Sequence, residues 1–290
     1  MAERTWRLLD LLGEASGYLA SRGMEEPRLE AELLLAAALE LRRLDLYLQF
    51  DRLLTPGEVA AFRDFVRQRL QGVPVQYVTG QAAFRLLDLE VTPQVLIPRP
   101  ETEILVEEAL AALAPLESPF VLDVGCGSGA IAISLAREHK GARVLATDLT
   151  PAALFLARAN ARRHGVDGRI TFACLDLFTA LRRAARFDAI VSNPPYVATP
   201  DLEGLAPEIR DHEPRQALDG GLDGLDFYRR IAVEAPALLR PGGRLLVEVG
   251  DGQAESVCAL LDGTAGLGQV RVRQDLNHVP RVVTCATAEG

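Results

Sequence analysis

Along the first seventy residues the apolar positions recur at helical spacing. Trp6, Leu8, Leu9, Leu11, Leu12 and Leu19 fall on one stripe, and Glu26-Pro27 opens a second periodic run through Leu29, Leu33, Leu34, Leu35 and Leu39. Such spacing predicts amphipathic helices. A shorter helix is expected over residues 44–50. Thr55-Pro56-Gly57-Glu58 then supplies a cap residue, a proline at the first helical position and a glutamate at the third. This is a capping-box start for a helix through Phe62, Phe65, Val66 and Leu70. Nothing in this stretch resembles a catalytic cluster, so residues 1–74 are expected to form a small helical domain that packs or recognises a partner.

From residue 75 to 95 the period changes to two, with strand candidates at 76–80 and 87–91. They predict a β-hairpin linker over residues 75–98. Beyond it, apolar strand runs alternate with helical patterns, which implies a mostly parallel sheet with helices on both faces. Strands are expected at 120–124, 143–147, 169–173, 187–192 and 244–249, with antiparallel closing strands at 269–273 and 281–286. Helices are expected over 130–137, from a Thr150-Pro151 cap through Ala161, and over 225–239, stopped by Pro241-Gly242-Gly243. Arg182, Arg183 and Arg186 read as a solvated helix end. The fold class is therefore α/β, a seven-stranded Rossmann-like sheet occupying residues 99–290 behind a helical domain and a linking hairpin.

Composition narrows the class. The chain has 290 residues, 49% of them hydrophobic, with four cysteines and a formal net charge of -9; mean hydropathy is +0.11 and the pI about 5.1. This is ample material for about two globular cores. No apolar run approaches a membrane span, and no signal-peptide pattern opens the chain, so a cytoplasmic protein is expected. The acidic balance argues against bulk electrostatic capture of nucleic acid. Cys126, Cys174, Cys258 and Cys285 lie far apart without a Cys-x-x-Cys pair, so neither a disulfide framework nor a metal site is expected. His139, His164, His212 and His278 are scattered; Asp211-His212-Glu213 falls in a loop where polar clusters are common.

The chemistry gathers at the ends of the predicted parallel strands. Asp123-Val124 leads into Gly125-Cys126-Gly127-Ser128-Gly129, whose glycines let a ligand lie against the main chain near a helix N-terminus. The next strand ends in Asp148, 19 residues after Gly129, where a carboxylate can accept ribose hydroxyls. After the third strand, Asp176 can accept an exocyclic amine while Leu177 covers an adenine face. The fourth strand delivers Asn193-Pro194-Pro195-Tyr196. Neither proline can continue a ladder, so the segment is a rigid loop. There the side-chain carbonyl of Asn193 and the backbone carbonyl of Pro194 can face one small space beside the Tyr196 ring, which suits a planar group bearing an NH2. Read as a dinucleotide site, the glycine turn lacks its third glycine at the usual spacing, and the Asn-Pro-Pro-Tyr loop has no use in hydride transfer.

Over nearly its full length the chain resembles the bacterial protein-(glutamine-N5) methyltransferases that modify class I peptide chain release factors. The resemblance rests on Val121 to Gly129, Asn193-Pro194-Pro195-Tyr196, Leu96-Ile97-Pro98-Arg99-Pro100-Glu101-Thr102-Glu103, Glu213-Pro214 with Ala217-Leu218, and Gly221-Leu222-Asp223-Gly224-Leu225-Asp226-Phe227-Tyr228. It implies S-adenosylmethionine as methyl donor, with S-adenosylhomocysteine as product, bound by Gly125, Cys126, Gly127, Ser128, Gly129, Asp148, Asp176, Leu177 and Asn193. It implies catalysis by Asn193, Pro194 and Tyr196 on the glutamine of a Gly-Gly-Gln tip, with Pro195, Arg99 and Glu101 also meeting the substrate. The expected protein is monomeric, with a release factor as partner and neither nucleic acid nor membrane. Leu177 stands where several relatives carry an aromatic ring, so Leu177 and Phe178 both remain candidates for the adenine face. Asn-Pro-Pro-Tyr is shared with adenine-N6 methyltransferases, which keeps a DNA or RNA base amino-methyltransferase open, as well as a non-catalytic nucleotide-binding module.

Overall fold

The first predicted helix, running from Leu8 to Ser21, starts one turn into its apolar stripe because Arg7 pairs with Leu53 in an isolated antiparallel bridge. The structure, a computed structural model, describes residues 5–181 and 186–288; Arg182 and Arg183 lie outside the described residues. Two compact units divide the chain, residues 1–81 with 206–212, and 82–205 with 213–290. Among the described residues no helix is long and apolar enough to cross a membrane.

The first unit is helical: α1 (Leu8–Ser21), α2 (Pro27–Ala38), α3 (Arg43–Leu48), α4 (Pro56–Leu70) and α5 (Val75–Thr79). Leu8, Leu12, Leu19, Leu34, Leu35 and Leu46 are fully buried among them, with Phe62. The capping box of α4 forms as its residues predict. Thr55 Oγ1 accepts the Glu58 N–H at 3.2 Å, and Glu58 Oε2 accepts the Thr55 N–H at 2.8 Å. The strand expected at 76–80 is instead α5. Pro74 presets its start and its carbonyl accepts the amides of Tyr77 and Val78, while Gly80 ends it at φ 71°. Five residues are too few to separate a strand from one and a half helical turns.

In the second unit the hairpin β1 (Gln81–Phe84) and β2 (Leu87–Glu90) buries Phe84, Leu87 and Leu89. Then follow α6 (Thr102–Leu113), β3 (Phe120–Val124), α7 (Ala130–Glu138), β4 (Arg143–Asp148), α8 (Pro151–Arg163), β5 (Ile170–Cys174) and β6 (Phe187–Ser192). The short α9 (Pro207–His212) belongs to the first unit, where Arg69, only 6% exposed, bridges Glu30 and Glu208. The chain ends through α10 (Asp226–Glu234), β7 (Leu239–Glu248), α11 (Ala254–Asp262), β8 (Leu267–Gln274) and β9 (Pro280–Thr287).

Seven strands form one sheet in the order β5-β4-β3-β6-β7-β9-β8, parallel from β5 to β7 and antiparallel through β9 and β8. Residues alternate between its faces. Val121, Ala189 and Val191 pack under α6, α7 and α8, whereas Leu122, Ile190 and Leu245 pack under α10 and α11. Pro241-Gly242-Gly243 does not stop a helix as expected but bulges inside β7. Between Phe187↔Leu239 and Ala189↔Arg244 four residues face one. A Cβ on Gly243 would lie 2.8 Å from the Arg240 carbonyl, so this crossing requires glycine. The helix expected over 225–239 accordingly ends at Glu234 and passes through a 3-10 turn into the strand.

Candidate active site

The strand order decides where the loops meet. From β3 the chain steps outward to β4 and β5, then returns to the other side of β3 as β6, so β3 and β6 flank the switch point of the sheet. Crevices in open parallel sheets lie outside the carboxyl ends of such a pair. Val124 is paired with Ser192, so Gly125 and Asn193 leave the sheet side by side.

The glycine loop is fixed from below. Both Gly125 and Cys126 donate their N–H groups to the Thr147 carbonyl at 2.9 Å, and Gly127 N–H donates to Asp148 Oδ2 at 2.9 Å. Gly125, Gly127 and Gly129 have φ of 76°, 52° and 86°, conformations costly for other residues. At Gly129 space is also short, since a Cβ would meet Ile133 Cδ1 at 3.0 Å and Ala157 Cβ at 3.1 Å. Asp148 Oδ1 accepts the Thr150 N–H at 2.9 Å. Thr150 was expected to cap α8 with its side chain; it makes no such bond, and its hydroxyl accepts from Gln216 Nε2 at 2.9 Å. These two backbone bonds leave the Asp148 carboxylate, which lines the cleft, with lone pairs to spare.

A single cleft is lined by Gly125, Cys126, Gly127 and Ser128, by Asp148, Asp176 and Leu177, and by Asn193, Pro194, Pro195 and Arg99. Counted to its open mouth it encloses about 1090 Å³. Leu177 lines it from a left-handed backbone, φ 49°, while Phe178 is buried in the core beneath. Leu177 is thus the residue presented to the cleft. Asp176 accepts from Arg230 Nη2 at 2.9 Å. Burial pushes the Cys126 thiol well above its usual range, with Asp123 and Asp148 adding to the effect, so it stays protonated and is no nucleophile.

Not every expected residue reaches the wall. Among the described residues that line the cleft, neither Gly129, Glu101 nor Tyr196 is present. The Tyr196 ring packs against Gly250, its carbonyl accepts from Gln253 Nε2 at 2.8 Å, and burial with the nearby Glu248 pushes its phenol up to about 12. Gly220 lies so close that a Cβ there would stand 2.8 Å from the Pro195 carbonyl. Arg99 pairs with the buried carboxylate of Glu213, whose other oxygen accepts the Ile97 N–H at 3.3 Å. Sequence reasoning missed Leu149, 60% exposed on the cleft wall directly after Asp148, and also Thr102 and Phe227. The latter two sit inside motif segments that had been singled out for other residues.

Residues 10–80 match the family described as PrmC N-terminal domain, and residues 101–209 that described as methyltransferase small domain. A release factor glutamine methyltransferase of Geobacter sulfurreducens is 50% identical to this chain over 278 residues, 96% of each protein. Another, from Chlorobaculum tepidum, is 46% identical over 292 residues, 98% of each. The chain belongs to the release factor glutamine methyltransferase family. It is a methyltransferase. For this member of the family the fold has wider parallels. The hMettl16 catalytic domain, solved with a 3'UTR hairpin, aligns with a TM-score of 0.56 at 16% identity over 81% of this chain and 84% of that one. A methyltransferase from Pyrococcus furiosus gives 0.50 at 18% identity, over 70% and 89%. At such identities the sheet and its helices are what is shared.

Proposed function

We propose that the enzyme transfers a methyl group from S-adenosylmethionine to the side-chain amide nitrogen of the glutamine in the Gly-Gly-Gln motif of class I peptide chain release factors. One observation carries the reading: Asn193 and the glycine loop open into the same cleft from paired strand ends. The residues fit the donor. Gly125 and Gly127 have open space where side chains would stand, Asp148 offers acceptors for ribose hydroxyls, and Leu149 and Leu177 give an apolar shelf for adenine with Asp176 beside it.

When bound, S-adenosylmethionine supplies an electrophilic methyl group on a sulfonium. The protein's task lies with the acceptor. A carboxamide nitrogen is a weak nucleophile because its lone pair is delocalised into the carbonyl. Asn193 Oδ1 and the Pro194 carbonyl accept its two hydrogens, which orients the nitrogen face and stabilises the positive charge it gains. The proton leaves after transfer, from the strongly acidic N-methylated amide cation, which gives the neutral methylamide, so no general base has to act first. Tyr196, braced on Gly250 and held by Gln253, keeps this loop rigid. Pro195, Arg99 and Glu101 meet the surrounding peptide, and the helical unit contributes recognition of the release factor.

The test is incorporation of labelled methyl into a purified release factor and into the same factor with its Gly-Gly-Gln glutamine changed to alanine. We expect one methyl per intact factor and none on the altered one. Equal labelling of both, or label found only in nucleic acid, contradicts the proposal.

A further inference from the structure

Asn193 is not free to choose which end of its amide it presents to the cleft. Its Nδ2 lies 3.1 Å from Thr102 Oγ1. The buried carboxyl group of Glu248 stands near both side chains, each of which acts to lower its pKa. These three residues come from distant parts of the chain. Thr102 opens α6 and is 4% exposed; Glu248 ends β7 and is 2% exposed. The pairing of Ser192 with Val247 sets Glu248 beside Asn193.

The polarity of this triad follows from its proton inventory. Burial holds the Glu248 carboxyl up to about 7; ionised above that pH it only accepts, and a threonine hydroxyl has one hydrogen to give. With that hydrogen turned toward the neighbouring carboxylate, Thr102 Oγ1 is left to accept from Asn193 Nδ2, the bond observed, and a carboxylate beside the amide favours its NH2 end. Both demands fall on the NH2 end of the amide. The carbonyl end, Oδ1, is thereby turned toward the cleft. An amide has two ends of nearly equal shape, and the reversed orientation would set NH2 against the NH2 of an acceptor.

We infer that Glu248 and Thr102 are positioning residues which fix the amide polarity of Asn193, so that its carbonyl rather than its NH2 faces the acceptor amide. This rests on the reading of Asn193 as the acceptor's hydrogen-bond partner. A second observation points the same way. Glu248 Oε2 is buried without any hydrogen-bond partner among the described residues, an expensive arrangement that packing by itself gives no reason to keep. Its surroundings are mixed. Burial is the main influence pushing the carboxyl up, to about 7; Glu101 acts with it, while Thr102, Asn193 and Arg281 oppose it.

Steady-state methylation of a Gly-Gly-Gln release factor by three variants tests the inference. Thr102→Val keeps the volume and loses the hydroxyl; Thr102→Ser keeps the hydroxyl and loses a methyl. Polarity control predicts that kcat falls about tenfold or more in Thr102→Val and stays within about twofold in Thr102→Ser. A packing role predicts the opposite order. Glu248→Gln, which can donate as well as accept and so no longer dictates direction, should lower kcat similarly. Its melting temperature should not fall, and KM and S-adenosylmethionine affinity should stay unchanged. Wild-type kcat in both Thr102→Val and Glu248→Gln, or a Thr102→Ser loss as deep as that of Thr102→Val, overturns the inference. An Asn193→Ala control separates the two levels. If that variant still methylates at the wild-type rate, the reading of Asn193 itself falls. If it is dead while the other variants match wild type, only the positioning role does.

Discussion

Asp123 shares with Glu248 the cost of a buried, incompletely bonded carboxyl, but its setting is different. It is 0% exposed; Oδ2 accepts the Ala132 N–H at 3.0 Å in the first turn of α7, and Oδ1 has no partner among the described residues. Burial pushes its carboxyl up to about 7, outweighing the helix amide, and Asp148 adds to the rise. The folded chain therefore holds this proton over a pH range in which the unfolded chain has released it. Stability is full below the unfolded value near 4 and declines as pH climbs toward 7. Asp123→Asn keeps an acceptor for Ala132 and removes the decline. By denaturation it should be more stable than the parent at pH 8, by on the order of 4 kcal/mol at most, and the gap should narrow as pH is lowered to about 5.5. A gap that is constant with pH would refute this account. The strand-end positions of Asp148, Asp176, Leu177 and Asn193 could be read from the sequence, and all four residues line the cleft. Thr102 and Glu248 could not be so read, because they come near Asn193 only through segments more than fifty residues apart in the chain.

Among the elements, those with long periodic patterns or explicit end signals were legible: α4 through its capping box, β3 and β6 through apolar runs ended by glycine or proline. Short elements were not. α5 has five residues and α9 six, lengths at which isolated helices are unstable and tertiary packing decides. α11 was overlooked although Val257 and Leu261 are buried four residues apart. Strand order lay beyond a sequence reading altogether, since nothing local says that β6 returns beside β3. The join between the glycine loop and α7 yields a prediction of its own. Gly129 combines φ of 86° with contacts of 3.0 and 3.1 Å for an added Cβ. Gly129→Ala should therefore destabilise the fold by about 1–3 kcal/mol, seen as a lower denaturant midpoint. The flanking Gly127, with open space around it, makes the comparison: an equal or greater loss in Gly127→Ala would mean that backbone strain alone, not the tight packing of α7 on α8, governs the loop.

For the molecule as a whole, the net charge of -9 and the site argue together. An acidic chain gains little from a polyanionic nucleic acid, whereas the proposed acceptor is a neutral amide. The sequence reading divides the chain at 1–74, 75–98 and 99–290, whereas the compact units are 1–81 with 206–212 and 82–205 with 213–290. Residues 206–212 read as loop in the sequence, and Glu208 accepts from the buried Arg69. The proposed reaction depends on one juxtaposition, Asn193 beside the glycine loop in a common cleft. The direct test is Asn193→Ala, measuring S-adenosylmethionine binding by calorimetry and methyl transfer to the release factor in parallel. The account predicts affinity within a few-fold of the parent and a loss of transfer of about 10²-fold or more. Transfer near the parent rate, or loss of binding in step with loss of transfer, would contradict it.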